Sequence, residues 1–328
     1  MSSDPESPQT SNLKELEALK AFREELTKEG LIQEGDTLGT DKDHVLLRFL
    51  RARKFNLKNA KTMLVNCIAW RKSVCDVGID ELYRKIDPYG YPERNAVFEH
   101  WPIWYHKTDK KGRPLNIESF GSIDVNALHE VISPERHWET LVVTAESLVR
   151  EVLPASSYAA GRVVDDVFVI VDLKGFGLKQ FWQIKYVVRD CFQISQDYFP
   201  ETMGKLAVIN APSSFAVIWK FVRPWLAQET QDKVEILGSD YQDVLLSLVD
   251  AENLPASLGG KCTCEDKGGC VVSNAGPWMD NRKERREKWL KCERNAIGLS
   301  LDRKTPDIQQ PTTPAPLEHE TEEKHNEQ

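Results

Sequence analysis

The chain has 328 residues, 41% of them hydrophobic and 29% charged, a balance that supports a sizeable core and excludes global disorder. Lys and Arg number 43 against 51 Asp and Glu, and a formal net charge of −8 argues against a dedicated nucleic-acid binder. No apolar run approaches the ~18–20 residues of a membrane span, and MSSDPESPQT lacks the basic and apolar regions of a signal peptide, so a soluble cytoplasmic protein is expected.

Residues 1–12 are polar and contain Pro and Ser, the composition of a disordered leader. Asn12, with Glu15 three positions on, predicts a helix start. Its apolar face is Leu13, Leu16, Leu19, Phe22 and Leu26, and Gly30 marks its end. A second helix fits 42–53 and a third follows Asn56, carrying Leu57, Leu64, Cys67, Ile68 and Trp70. Together they predict an all-helical lobe over 13–85. Past Pro88 the pattern changes. Trp101 to His106 and Arg113 to Phe120 read as a hairpin joined by Thr108-Asp109-Lys110-Lys111-Gly112. After a helical stretch at 134–152, the run Val167-Phe168-Val169-Ile170-Val171 fits a strand buried on both faces. Helix 179–197, strand 206–209, helix 213–227, strand 234–237 and helix 240–249 then alternate. That order predicts an α/β domain over 90–262, with parallel β-α-β units. Residues 263–302 form an extension with a charged helix at 280–295, and 303–328 read as a disordered acidic tail.

One window departs from the average. Residues 202–228 hold three cations and no acidic residue, and 213–227 is apolar around most of its circumference. Such a helix belongs in a large core or against lipid. Lys220 and Arg223 have stems long enough to snorkel, and Trp219 and Trp225 suit an apolar–polar boundary. The composition fits a movable lid over an apolar cavity. The extension is different: Arg282 to Arg294 holds seven Lys/Arg and three Glu, which reads as a solvated helix.

Chemistry-bearing motifs are sparse. Gly-x-Ser-x-Gly, the phosphate-binding Gly-x-x-x-x-Gly-Lys-[Ser/Thr] loop and His-Glu-x-x-His do not occur, and His129-Glu130 lacks a second histidine. No catalytic residue is assigned and an enzyme is not expected. Seven cysteines form an irregular set of reduced thiols. Cys262-Thr-Cys264 with Cys270 and Cys292 matches no zinc spacing, and no histidine lies nearby to complete a site. Surface thiols on a loop are therefore expected, with no metal and no cofactor.

Leu47-Arg48-Phe49-Leu50-Arg51-Ala52-Arg53-Lys54-Phe55, and Tyr105-His106-Lys107-Thr108-Asp109 with Gly112-Arg113-Pro114, resemble the helical-lobe motif and the hairpin of the CRAL-TRIO family, in its secretory phosphatidylinositol-transfer branch. Asp172-Leu173-Lys174-Gly175, Ser195-Gln196-Asp197-Tyr198-Phe199-Pro200-Glu201 and Ile209-Asn210-Ala211-Pro212 continue the match. Ile236-Leu237-Gly238, Asn253-Leu254-Pro255 and Gly276-Pro277-Trp278 complete it, over roughly 40–280. The resemblance implies a helical lobe joined to a mixed, largely parallel sheet that floors a lipid cavity. Helix 213–227 would be the gate, with Phe215, Ile218, Trp219, Phe221, Val222 and Trp225. It implies bound phospholipid as ligand, a transient membrane surface as partner, a monomer, and no covalent chemistry. Roles in phosphoinositide signalling and protein transport at Golgi or endosomal membranes, with presentation to a phosphoinositide kinase, are implied in the same way.

Headgroup residues carry over one at a time. Arg53 and Lys54, which alone read as a solvated helix end, match a basic pair near the lipid phosphate and inositol. Glu201 matches a glutamate suited to inositol hydroxyls. Thr230 and Lys233 match a Thr-x-x-Lys that donates to phosphate oxygens. Thr202 departs from the family, which has Arg there. The phosphatidylcholine site departs further: Tyr105 is retained, but Asn116 and Ala145 stand at tyrosine positions and Val167 and Val169 at hydroxyl positions. The expected ligands are phosphatidylinositol and a second, less polar lipid, sterol-like in character. Haem is the alternative cargo, with Tyr105 or His106 as the nearest axial ligands.

Overall fold

The computed structural model describes residues 8–300 apart from Ser239, with side chains described from Leu13 onward. The tail expected at 303–328 lies outside the described residues, as does most of the leader. The first helix, α1 (Pro8–Lys28), begins before Asn12, so Asn12 is an interior residue and not the expected cap. A proline is tolerated in a first turn, where its missing N–H has no intrahelical partner to lose. Gly30, at φ +69°, follows the helix end as expected. α2 (Asp43–Arg51) and α3 (Leu57–Ser73) complete the lobe, and Asn56 caps α3 by accepting from the Asn59 N–H at 3.0 Å. Leu19, Phe22, Leu26, Leu46, Phe49, Leu50 and Leu64 fill its core. Two seven-residue helices that the periodicity does not announce, α4 (Ile79–Lys85) and α5 (Arg94–His100), lead to the sheet.

Five strands lie in sequence order: β1 (Ile103–Thr108), β2 (Pro114–Ser119), β3 (Val167–Asp172), β4 (Met203–Ile209) and β5 (Val234–Ile236). β1 and β2 form the antiparallel hairpin, and β2 through β5 pair in parallel. Between β2 and β3 run α6 (Val125–Val131), α7 (Pro134–Ser147), a π-helical turn (Leu148–Val152) and α8 (Leu153–Ala160). α9 (Leu178–Tyr198) joins β3 to β4. α10 (Phe215–Val222) and α11 (Gln228–Gln231) join β4 to β5, and α12 (Tyr241–Leu248) follows.

Strand alternation divides two cores. Tyr105, Val167, Val169, Leu206 and Val208 pack on one face with α7 and α9 residues. Trp104, Leu115, Ile117, Phe168, Ile170, Ala207 and Ile209 pack on the other with Leu245 and Val249. Because side chains alternate with period two, one apolar strand serves both faces.

The expected gate helix is shorter than 213–227. α10 ends at Val222 and a 3-10 turn, Arg223–Trp225, follows. Pro224 cannot donate to an α-helical ladder, and Leu226 is already extended. The charged helix is a second correction. α13 (Cys270–Ser273) and α14 (Arg282–Leu290) pack back on the body, and Arg282, Arg285, Arg286 and Trp289 are buried. Arg282 forks onto Glu151 at 2.7 and 2.8 Å and onto Asp87 at 2.8 and 3.0 Å. A parallel cluster joins Arg71 to Glu146 at 2.7 and 2.8 Å, with Arg150 bridging Glu146 and Asp80. Glu146 lies just before the π-turn and Glu151 within it, and both are buried on the inner side of one continuous helical run.

Candidate functional site

A cavity of about 330 Å³ lies over one face of the sheet. The register lays residues in rows across its floor. Tyr105, Asn116, Val169, Leu206 and Val234 are successive partners, and Ile103, Glu118, Val171, Val208 and Ile236 form the next row. Ala145 and Leu148 line one side, and α9 supplies a wall through Phe181, Ile184, Val188 and Phe192. α10 closes it with Phe215, Ile218, Trp219 and Val222.

The structure therefore brings together all five expected cavity residues: Tyr105, Asn116, Ala145, Val167 and Val169. Tyr105 Oη donates to the Thr144 carbonyl at 3.4 Å, and burial raises the phenol above its ordinary range. Asn116 Nδ2 donates to the Trp104 carbonyl at 3.5 Å. Val167 and Val169 share the cavity face, so β3 floors the cavity with isopropyl groups, as expected.

The polar end lies where β4 and β5 begin. Glu201 and Thr202 precede β4 and Lys233 precedes β5, and all three line the cavity with Thr230. Lys233 Nζ donates to Glu201 Oε2 at 2.9 Å, each side chain about a quarter exposed. Glu201 sits at φ 57°, an uncommon conformation for a non-glycine residue and one found at functional sites. Thr202 is buried and its Oγ1 donates to the Phe199 carbonyl at 2.8 Å, so it does not replace a guanidinium.

Arg53 and Lys54 do not line the cavity. Lys54, at φ 50°, points its exposed ammonium to Glu229 Oε1 at 3.0 Å, one residue from Thr230. Arg53 Nη1 donates to the Ala52 carbonyl at 2.9 Å. Lys54 alone approaches the polar end from outside, through Glu229. Of the expected gate residues, Phe221 and Trp225 also lie off the lining: Phe221 is 45% exposed, and Trp225 stacks on Phe181 with centroids 6.4 Å apart. The two tryptophans do not mark the outer boundary, because Trp219 faces the cavity. The outward aromatics are Phe221, Trp182 and Tyr186, with Trp182 edge-on to Phe221 at 5.1 Å and Lys185 over the Trp182 ring at 4.4 Å.

Glu118 was missed. It is a lone carboxyl on a strand, without a motif around it. It lines the apolar floor, where burial pushes its carboxyl up to about 7. The haem alternative loses one of its two ligands, because His106 packs on the face of β1 opposite Tyr105. It is fully buried, and burial with the nearby Lys107 charge pushes its imidazole down to about 4. The expectation that Cys262, Cys264 and Cys270 have no histidine beside them also fails. His106 lies among them, and Cys262 is itself buried.

Two family models match: the CRAL/TRIO domain over residues 98–260 and the CRAL/TRIO N-terminal domain over 17–66. The Sec14 cytosolic factor of Schizosaccharomyces pombe is 41% identical over 272 residues, 83% of this chain and 88% of that protein. The phosphatidylinositol/phosphatidylcholine transfer protein SFH4 of Arabidopsis thaliana is 36% identical over 301 residues, 91% of this chain and 48% of that protein. Among solved structures, the crystal structure of Sfh5 superposes with a TM-score of 0.58 at 15% identity. The match covers 84% of this chain and 92% of that one, a likeness of fold. The chain belongs to the CRAL/TRIO family. Among the described residues no helix is long and apolar enough to cross a membrane.

Proposed function

We propose that this protein carries phosphatidylinositol in the sheet-floored cavity and exchanges it at membrane surfaces, with α10 as the gate. The observation that carries the reading is one apolar cavity with the Glu201–Lys233 pair and Thr230 gathered at a single end. A diacyl lipid has on the order of 30 methylenes at ~0.8 kcal/mol each, so a closed apolar space is what makes a free carrier feasible. Selection then falls to the polar end, where Glu201 accepts from inositol hydroxyls while Lys233 and Thr230 donate to the phosphate. The names of relatives in two kingdoms, a Sec14 cytosolic factor and a phosphatidylinositol/phosphatidylcholine transfer protein, support the same reading.

The second cargo in this proposal is a less polar lipid than phosphatidylcholine, sterol-like in character. Val167, Val169 and Ala145 offer no donors to a choline phosphate, and a buried anion without donors is costly. The protein acts as a carrier without covalent catalysis or a cofactor. It works as a monomer at Golgi or endosomal membranes and presents its lipid to a phosphoinositide kinase. Lipids extracted from the purified protein and identified by mass spectrometry test the cargo. Phosphatidylinositol together with an apolar lipid is expected, and stoichiometric phosphatidylcholine overturns the second-cargo assignment.

A further inference from the structure

His106 is fully buried and neither of its ring nitrogens has a hydrogen-bond partner. Leaving a buried polar group unsatisfied is costly, so this imidazole calls for a ligand of some kind. The atoms that surround it are sulfurs. His106, Cys262, Cys264 and Cys270 each offer one donor atom, and all four lie within 4.8 Å of one another. Cys262 and Cys264 have their Sγ atoms 3.5 Å apart. A zinc ion with Zn–S near 2.3 Å spaces tetrahedral sulfurs by about 3.8 Å, whereas a disulfide needs about 2.05 Å.

The backbone is arranged to make this approach. The β1–β2 register slips between His106 and Thr108, and Lys107 takes φ 45° while its N–H donates to the Ala275 carbonyl. Such a bulge re-aims the adjoining side chains. On the other side, Cys262 bridges to Pro255, and its N–H donates to the Leu254 carbonyl at 3.0 Å. Cys264, at φ 47°, turns the chain so that its carbonyl accepts from the N–H groups of both Lys267 and Gly269 at 3.0 Å. Gly269, at φ +106°, allows the return that delivers Cys270.

We propose that His106, Cys262, Cys264 and Cys270 form a structural zinc site that staples the C-terminal extension to the outer face of the sheet. Three sulfurs and one imidazole make a closed tetrahedral set with no open position, the pattern of structural rather than catalytic zinc. On binding, the three thiols release their protons to solvent, leaving one net negative charge on the site. The Lys107 ammonium stands beside it. The site lies across the sheet from the cavity, so it is independent of which lipid the cavity holds.

The full chain, purified under reducing conditions without chelator, is analysed for metals by inductively coupled plasma mass spectrometry and by X-ray absorption at the zinc edge. About one zinc per chain is expected, with a shell of three sulfurs near 2.3 Å and one nitrogen near 2.0 Å. The Cys264→Ser/Cys270→Ser double variant loses the metal almost entirely, whereas Cys292→Ser, at an exposed thiol elsewhere, keeps it. Cys264 and Cys270 are half-buried loop and helix-start residues, and far-ultraviolet circular dichroism checks that the double variant is folded. A folded parent that takes up no zinc on addition of the metal alone overturns the proposal. So does full zinc content in the double variant, an iron–sulfur chromophore, or a disulfide among these cysteines in the reduced preparation.

Discussion

At the scale of single residues, Lys233 and Glu201 neutralise each other at the mouth of an apolar cavity, an arrangement poised to trade one partner for a ligand. A charge-assisted hydrogen bond contributes about 1.5–3 kcal/mol. Lys233→Ala is therefore expected to weaken phosphatidylinositol binding by about 10–150-fold with little change in melting temperature, measured by vesicle-competition binding and calorimetry. Glu118 gives a second test. Its folded-state value of about 7 lies above the ordinary 4.5, so between those pH values the native state keeps a proton that the unfolded chain has released. Stability from this group is present at low pH and falls as pH rises through the window, by about 3–4 kcal/mol in total. Glu118→Gln should be more stable than the parent above pH 7, with the gap closing toward pH 4.5 in urea melts. Glu201, Thr230 and Lys233, which line the cavity, were reached through the family resemblance of the short stretches around them. Glu118 and His106 were not, because their significance comes from strands and loops brought together by the fold, and the cysteines nearest His106 are more than 150 positions away in sequence.

At the scale of elements, α10 is a helix with two apolar faces. Phe215, Ile218, Trp219 and Val222 look into the cavity, while Val217 and Phe221 look out, flanked by Lys220 and by Trp182 and Tyr186 of α9. Exposed aromatics beside cations suit the headgroup boundary of a membrane. Phe221→Glu is expected to reduce co-sedimentation with anionic vesicles and slow transfer while leaving the cargo bound, as read by extraction and mass spectrometry. Composition showed that this helix was unusual. It did not show which aromatics face out, since that depends on the packing of α10 against α9. The opposite holds at α14, where the seven cations of Arg282 to Arg294 read as a solvated face. The partners of Arg282, Asp87 and Glu151, are distant in sequence, and burial of Arg282 follows from that pairing. Removing one partner from a buried pair leaves an uncompensated charge, so Arg282→Ala should cost about 3–5 kcal/mol in denaturant unfolding.

At the scale of the whole molecule, one five-stranded sheet separates two tasks. Its inner face floors the cavity, and its outer face is closed by α12 and the segment from Cys262 to Cys270. The fold was legible because long apolar strands and amphipathic helices announce themselves by period. The π-turn, the two short helices before the sheet and the inward face of α14 were not, because tertiary contacts decide them. The central claim is that the cavity and its polar end move phosphatidylinositol between membranes. The most direct measurement is the rate at which labelled phosphatidylinositol passes from donor to acceptor vesicles with the intact protein and with Lys233→Ala and Glu201→Ala. Rapid transfer by the intact protein and a drop of at least about tenfold in both folded variants is the predicted result. Transfer that is absent in the intact protein, or unchanged in both variants, would contradict the account.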